Sequence, residues 1–301
     1  MMRSLLLLAT LLLAAPAHAT VHVDDAGRTV DFAAPPRRVI TLAPNLTEFV
    51  YAVGAGDTMV GTMDTSDFPA AARQVERIGD YQRLDVERIL ALKPHVIFVW
   101  HHGNQGRELA QLEAAGLKLF YLEPKRLDDI PQTLSRVGAL LGHRAQGDAR
   151  AAAWRDDIAA LRARHAKDSP VSVFFQVWSQ PLMTLNGEHL TSDVLGLCGG
   201  RNVFSGLQAL APQISVESAV AANPEAIFGA RESGSEPPFW RREPQRKAFA
   251  LWQPFTQVTA VRRGWIYTVP GDLVTRQGPR VIDGVRAVCE ALDQVRAERR
   301  R

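Results

Sequence analysis

The sequence predicts an α/β protein: two similar parallel-sheet α/β lobes joined by one long helix, with a ligand cleft between the lobes. Three observations predict it. Short apolar runs alternate with helical patterns, which is the mark of layered α/β architecture. One long segment, "AQGDARAAAWRDDIAALRARHAKD", has helical spacing and neither Pro nor Gly after Gly147. After that segment the alternation restarts, and it repeats earlier wording. "DVERILALKPHVIFVW" and "SVESAVAANPEAIFGA" both read Val-Glu, then Ala four residues after the Glu, then Pro, then Ile-Phe.

The chain of 301 residues is long enough for one large domain or two medium ones. Formal net charge is +3, and the tail "RAERRR" carries much of the basic excess. No basic stripe appears elsewhere, which argues against nucleic acid as the partner. The opening "MMRSLLLLATLLLAAPAHA" has an early Arg, an apolar run and Ala-His-Ala, the layout of a cleaved export signal rather than a membrane anchor. The expected division is a signal peptide over 1–19, a first lobe over 20–145, an interdomain helix over 146–168 and a second lobe over 169–301. No Cys follows the cleavage site, so a periplasmic protein without a lipid anchor is expected.

Each element follows in order. "RRVITLAP" reads as a Val/Ile strand ending at Pro44. "NLTEFVYAVGAG" reads as a helix, with Asn45 or Thr47 near its start and Gly54 and Gly56 closing it. "TMVGTM" is a short strand. "DVERILALKP" is helical, with Val86, Ile89, Leu90 and Lys93 along it and Pro94 stopping it. "HVIFVW" is an unbroken apolar run, as expected of a strand buried on both faces. "RELAQLEAAG", "LKLFYLE" and "IPQTLSRVGALLG" continue as helix, strand, helix. In the long segment Ala153, Trp154, Ile158 and Leu161 recur at helical spacing. "VSVFFQVW" then restarts the pattern. "LTSDVLGLCGG" echoes "LTEFVYAVGAG", each placing Leu-Thr before a helix that ends in Gly.

Several candidates carry chemistry. Cys198 and Cys289 favour a disulfide in an exported chain, the alternative being two buried free thiols. Glu87 and Glu217 occupy matching places near helix starts, where a carboxylate is favoured by exposed N–H groups. They also form a matched pair of surface carboxylates, one per lobe, suited to a symmetric basic partner. His101 and His102 are adjacent, so they should point to different sides and not chelate one ion. The other histidines are scattered, and two Cys without a nearby His make no zinc site. No serine-hydrolase elbow, His-Glu-x-x-His or phosphate loop occurs, so an exported α/β enzyme is a remote reading.

"RVITLAPNLTE", "SDFP", "VERILALKPHVIFVWHHGN", "VLGLCGGRNVF", "PQISVE" and "GPRVIDGVRAVCEAL" carry a resemblance over nearly all of the mature chain. The sequence resembles the substrate-binding proteins with a rigid interdomain helix that serve ABC importers of cobalamin, haem and ferric siderophores. Trp100-His-His-Gly-Asn104 and the Cys pair resemble its cobalamin branch in particular. The resemblance implies capture of cobalamin or a related corrinoid as transported ligand, with no catalytic cofactor. Haem or a ferric siderophore is the alternative within the same importer class. It implies docking of Glu87 and Glu217 onto Arg groups of a dimeric inner-membrane permease. A continuous helix across the junction resists hinge bending, so the lobes are expected to move little on binding, and the free protein is expected to be a monomer.

The expected ligand-binding set is Tyr81, Trp100, His101, Asn104, Trp178, Met183 and Asp272, with Phe68 as a further aromatic. A nearly neutral corrin calls for flat apolar surfaces and a few amide or hydroxyl partners. Trp154, Trp240, Trp252 and Trp265 are expected in the core. Two positions depart from the cobalamin pattern. Ala211 stands where the family can carry Trp, and an aromatic near Leu273 is missing. Trp178 and Leu210 are candidates to compensate.

Overall fold

The apolar runs become parallel strands flanked by helices, in a computed structural model that describes residues 20–104, 106–231 and 240–300. The export-signal expectation for 1–19 lies outside the described residues. The chain opens with an antiparallel hairpin, β1 (Thr20–Val23) and β2 (Thr29–Phe32). Then follow β3 (Val39–Thr41), α1 (Pro44–Ala52), β4 (Met59–Thr62), α2 (Val86–Ala91), β5 (Val96–Trp100), α3 (Arg107–Ala114), β6 (Leu119–Leu122) and α4 (Ile130–Leu140). These strands make a parallel sheet in the order β4-β3-β5-β6.

The long segment forms α5 (Arg144–His165), shifted slightly toward the N-terminus of the expected 146–168. The second half contains β7 (Val171–Gln176), β8 (Trp178–Ser179), β9 (Leu182–Met183), α6 (Leu190–Leu197), β10 (Gly200–Asn202), α7 (Val216–Ala221), β11 (Ala226–Arg231), β12 (Arg241–Arg242), α8 (Thr259–Arg263), β13 (Ile266–Pro270), α9 (Gly271–Val274) and α10 (Val281–Arg299). Its sheet runs β10-β7-β11-β13-β12, parallel except for β12.

The repeated wording has a common local cause. Asp85 caps α2 by accepting from the N–H of Arg88, and Ser215 caps α7 by accepting from the N–H of Ser218. Each helix is six residues long and buries one residue at the same place, Ile89 or Ala219. Each exit passes through a left-handed residue, Lys93 at φ 46° or Asn223 at φ 41°, and then Pro94 or Pro224. The Pro clashes with a helical residue before it, so the chain must turn out of the helix there. Lys93 therefore lies beyond α2, not along it as the spacing predicted. α1 also differs in detail. Pro44 opens it, since a Pro at the first helical position loses no hydrogen bond. Thr47 is buried and does not cap.

α5 ties the two halves together. It crosses α4 where Gly138 faces Gly147, and a Cβ on Gly138 would come within 2.8 Å of the Gly147 Cα. Only glycine permits that approach. Trp154 Nε1 donates to the carbonyl of Leu127 at 3.2 Å on the first side. Arg286 reaches Asp157 at 2.9 Å and Arg164 reaches Asp293 at 3.3 Å on the second. One buried cluster includes Leu46 and Val137 of the first half, Trp154 and Ile158 of α5, and Phe175 and Val288 of the second. Separate clusters cover the outer face of each sheet. Cys198, just past α6, is bridged to Cys289 of α10. Among the described residues no helix is long and apolar enough to cross a membrane.

Candidate functional site

Parallel sheets present ligand sites beyond the carboxyl ends of their strands, where the loops have no ladder to satisfy. Here both sets of loops meet at one seam. α1 follows β3, and the segment 276–280 follows β13 and α9. Asn45 Nδ2 of α1 donates to the carbonyl of Gln277 at 3.3 Å. The strand ends of the two halves therefore face each other.

The first wall is set by hydroxyls. Thr41, Thr47 and Thr62 lie 2.7–2.9 Å apart through their Oγ1 atoms, and Ser66 joins Thr47 at 3.1 Å. These buried groups pin the start of α1 to the ends of β3 and β4. Next to them, Asn104 acts as a clamp. Its Oδ1 accepts from the Trp100 N–H at 2.8 Å, and its Nδ2 donates to the Leu42 carbonyl at 2.8 Å. The loop thus folds back onto β3, and the Trp100 ring lies over Gly103, where a Cβ would come 1.8 Å from it. That gives Trp-x-x-Gly-Asn its physical meaning. Trp100 is half-buried, and its Nε1 has no hydrogen-bond partner among the described residues.

His101, next in the chain, turns toward a neighbouring cavity. With His102, Asp25, Glu123 and Arg136 it lines that cavity, of about 270 Å³, beside α4. The two imidazoles meet edge to face at 4.8 Å and do not diverge as expected. The strand has ended at Trp100, so its two-residue alternation no longer holds. His102 Nδ1 is 3.2 Å from the Glu123 carboxylate, and His101 packs on Tyr121 at 5.5 Å. Tyr81 stands 82% exposed on a turn held by Asp80, whose Oδ1 accepts from the N–H groups of Gln82 and Arg83.

The second wall carries Trp178 and Met183, paired across the β8–β9 hairpin. Trp178 is 61% exposed, and its Nε1 donates to the Gln180 carbonyl at 2.8 Å. Met183 bridges to Gln213, and Asn186 N–H donates to the Leu210 carbonyl at 3.0 Å. The segment with Ala211 and Leu210 is thus stitched alongside the hairpin, and both residues are exposed. Leu273 is buried in the core, so the aromatic expected near it leaves no gap at that side chain. Asp272 is also buried and pairs with Arg280. Trp154, Trp252 and Trp265 are core residues, and Trp240 packs half-buried against the core with its Nε1 on Glu290.

The seam holds a group that sequence reasoning missed. Glu48 of α1 is buried and meets Arg276 at 3.0 Å and Arg280 at 3.8 Å. Arg276 also reaches Asp67 at 3.2 Å, and Arg280 stacks on Phe68 at 4.0 Å. Burial pushes the Glu48 carboxyl up to about 7, against the pull of Arg280 and Arg276. A Glu within "LTE" reads as a surface residue of an amphipathic helix, so only the opposing Arg residues, far along the chain, reveal it.

Glu87 and Glu217 are exposed in the first turns of α2 and α7. Glu87 borders an open groove of about 760 Å³ with Asp64, Asp80, Asp85 and Glu108. Among the described residues, His165, Asp168 and Asp293 have metal-ligand spacing. Arg296 pairs with both carboxylates at 2.9 Å and already supplies the positive charge.

Residues 39–273 match the family described as periplasmic binding protein. The chain belongs to the periplasmic binding protein family. This is a family of non-enzymatic transport components, which agrees with the expected binder rather than an enzyme. The binding protein is 31% identical over 265 residues to the vitamin B12-binding protein of Vibrio parahaemolyticus serotype O3:K6, covering 88% of this chain and 92% of that one. It is 35% identical over 260 residues to the vitamin B12-binding protein of Photorhabdus laumondii, covering 86% and 89%. In three dimensions it resembles the periplasmic vitamin B12 binding protein BtuF of Vibrio cholerae, with a TM-score of 0.77 and 31% identity over 87% of this chain and 98% of that one. A periplasmic heme binding protein from Pseudomonas aeruginosa has a TM-score of 0.73 and 26% identity, over 85% and 92%.

Proposed function

We propose that this binding protein captures cobalamin, or a related corrinoid, in the periplasm and delivers it to an ABC permease dimer in the inner membrane. The observation that carries this reading is the agreement of relatives named for vitamin B12 with a clamped Trp100 on one wall and an exposed Trp178–Met183 hairpin on the other. Flat apolar groups of this kind suit a corrin, and amide groups suit its side arms. Tyr81, Trp100, Asn104, Trp178 and Met183 form the proposed ligand set, with His101 and Asp272 at its margins. Asn104 acts by holding Trp100. Residues 20–145 and 169–301 serve as the two lobes, α5 keeps their spacing, and residues 1–19 are removed on export without a lipid anchor. Glu87 and Glu217 meet basic groups of the permease, and the free protein is a monomer.

Titration of the purified mature protein with cyanocobalamin, haemin and a ferric siderophore tests the reading. Saturable one-to-one binding of cyanocobalamin, tighter than of the other two, is expected. Tight haemin binding without corrinoid binding overturns the choice of ligand.

A further inference from the structure

Glu48 belongs to one lobe and is buried against the other. Its side chain is 2% exposed. Oε1 accepts from Arg276 Nη1 at 3.0 Å, and Arg280 Nη1 approaches to 3.8 Å. Oε2 is buried with no hydrogen-bond partner among the described residues. The backbone of Gly278 closes over it so tightly that a Cβ there would come 2.9 Å from Oε2. Both guanidinium groups are shared, Arg276 with Asp67 and Arg280 with Asp272. Three carboxylates therefore share these two guanidinium groups, and Arg231 acts electrostatically on Asp272 as well. A proton on Oε2 relieves the excess charge at one of the two seam oxygens, the other being Asp272 Oδ1, that have no partner among the described residues.

The remaining charged neighbours do not change this balance. Arg150 and Asp157 of α5, and Asp283 and Arg286 of α10, line a cavity of about 420 Å³ together with Glu48 and Tyr51. Arg286 is engaged by Asp157 at 2.9 Å and by Asp283 at 3.1 Å. Burial, with a smaller push from Asp272, raises the Glu48 carboxyl to about 7 against the pull of Arg280 and Arg276. The seam has a counterpart across the cleft. Asp193 of α6 accepts from the Leu127 N–H at 3.1 Å and pairs with Arg126. The two Leu-Thr helices thus each hand a carboxylate to the opposite lobe. Asp193 is 20% exposed at its side chain, so water reaches it, unlike the buried Glu48.

We infer that Glu48 is a proton-linked latch between the lobes: protonated, it holds its edge of the cleft closed, and ionised, it loosens that edge. The direction follows from linkage. The closed seam binds the proton more tightly than a hydrated carboxylate does, so the proton favours the closed seam. Loss of the proton favours any arrangement that lets water reach Oε2.

The test uses the full mature chain with its disulfide intact and needs no ligand, so its outcome is independent of the cobalamin reading. Gln111→Cys and Gln257→Cys put one dye on each lobe for single-molecule energy transfer. The expected result is a narrow distance distribution at pH about 5.5 that broadens by pH about 8.5, with its midpoint near 7. Glu48→Gln should stay narrow at both, whereas Asp193→Asn should keep the wild-type response. An unchanged wild-type distribution, or a pH response surviving in Glu48→Gln, overturns the inference. Should Glu48→Gln not fold, ¹³C carboxyl titration of the wild type decides alone. One Glu titrating near 7 supports the latch, and every Glu titrating below pH about 5.5 rejects it.

Discussion

At the scale of single residues, Trp100 and His189 show how local geometry limits what a side chain can do. Trp100 cannot turn away from its place, because Asn104 holds its backbone and Gly103 lies beneath its ring. Trp100→Ala should therefore weaken cyanocobalamin binding by about 1–3 kcal/mol, a loss typical of a packed aromatic anchor. Calorimetry of the folded variant checks this, and unchanged affinity would remove Trp100 from the ligand set. His189 caps α6 by accepting from the Thr191 N–H on Nδ1 at 3.1 Å, which needs a neutral ring. Burial lowers it to about 4 from its ordinary 6.5. The unfolded chain thus takes up the proton first. The stability this group contributes is complete above pH 6.5 and is lost as pH falls toward about 4. His189→Asn keeps a capping acceptor without the titration, so its unfolding midpoint should fall less steeply with acid. An identical slope would mean that His189 binds its proton equally well in the folded and unfolded chain. The buried Trp154 was legible from neighbouring letters, because it lay in a plain helix pattern, whereas Trp178 was placed by resemblance and Trp252 and Trp265 by the general tendency of Trp to pack in cores. Glu48 and the turn of the His101 ring were not legible. Their surroundings come from Arg276, Arg280 and Tyr121, which no local pattern connects to them.

At the scale of elements, the repeat was readable because the same physics writes it twice. A capping residue, one buried apolar position and a Pro exit are all local requirements, so α2 with β5 and α7 with β11 appear in the sequence as paired phrases. The hairpin β1–β2, the short strand β12 and the helix α9 were not read. They are held by contacts to distant parts of the chain, such as Asp25 N–H to the Tyr121 carbonyl at 2.9 Å, rather than by their own periodicity. The end of α6 was legible, since Gly199 at φ 71° is the left-handed residue that "GLCGG" supplies after a helix. The bridge from Cys198 to Cys289 fastens that end to α10 across a sequence separation of 91 residues. A loop of that length corresponds to about 4–5 kcal/mol in the chain-entropy account, with strain and residual structure reducing it. The double change Cys198→Ser and Cys289→Ser should lower unfolding free energy in denaturant by a few kcal/mol. A loss below about 1 kcal/mol would mean that packing of α6 on α10 already supplies the constraint.

At the scale of the whole molecule, two lobes share a continuous core through α5, and their loops converge on one seam. This arrangement leaves the far ends of α2 and α7 free to face a partner. Each presents a glutamate in its first turn, Glu87 or Glu217, with neither side chain needed for packing. Exposed carboxylates of this kind add little to folding. Glu87→Arg with Glu217→Arg should therefore leave both the unfolding midpoint and cyanocobalamin affinity nearly unchanged. Docking is different, because like charges facing each other cost more than a missing attraction does. Vitamin uptake into vesicles carrying the partner permease should fall at least tenfold for the double variant, roughly the effect of 1.4 kcal/mol. A single reversal should do less, since each lobe is proposed to hold one half of a two-fold partner. The acidic groove beside Glu87 adds a further expectation: Glu87→Arg should harm uptake less than Glu217→Arg, because Asp64, Asp80, Asp85 and Glu108 remain to attract the basic partner. Normal uptake by the double variant would return both residues to the role that any helix-start carboxylate plays.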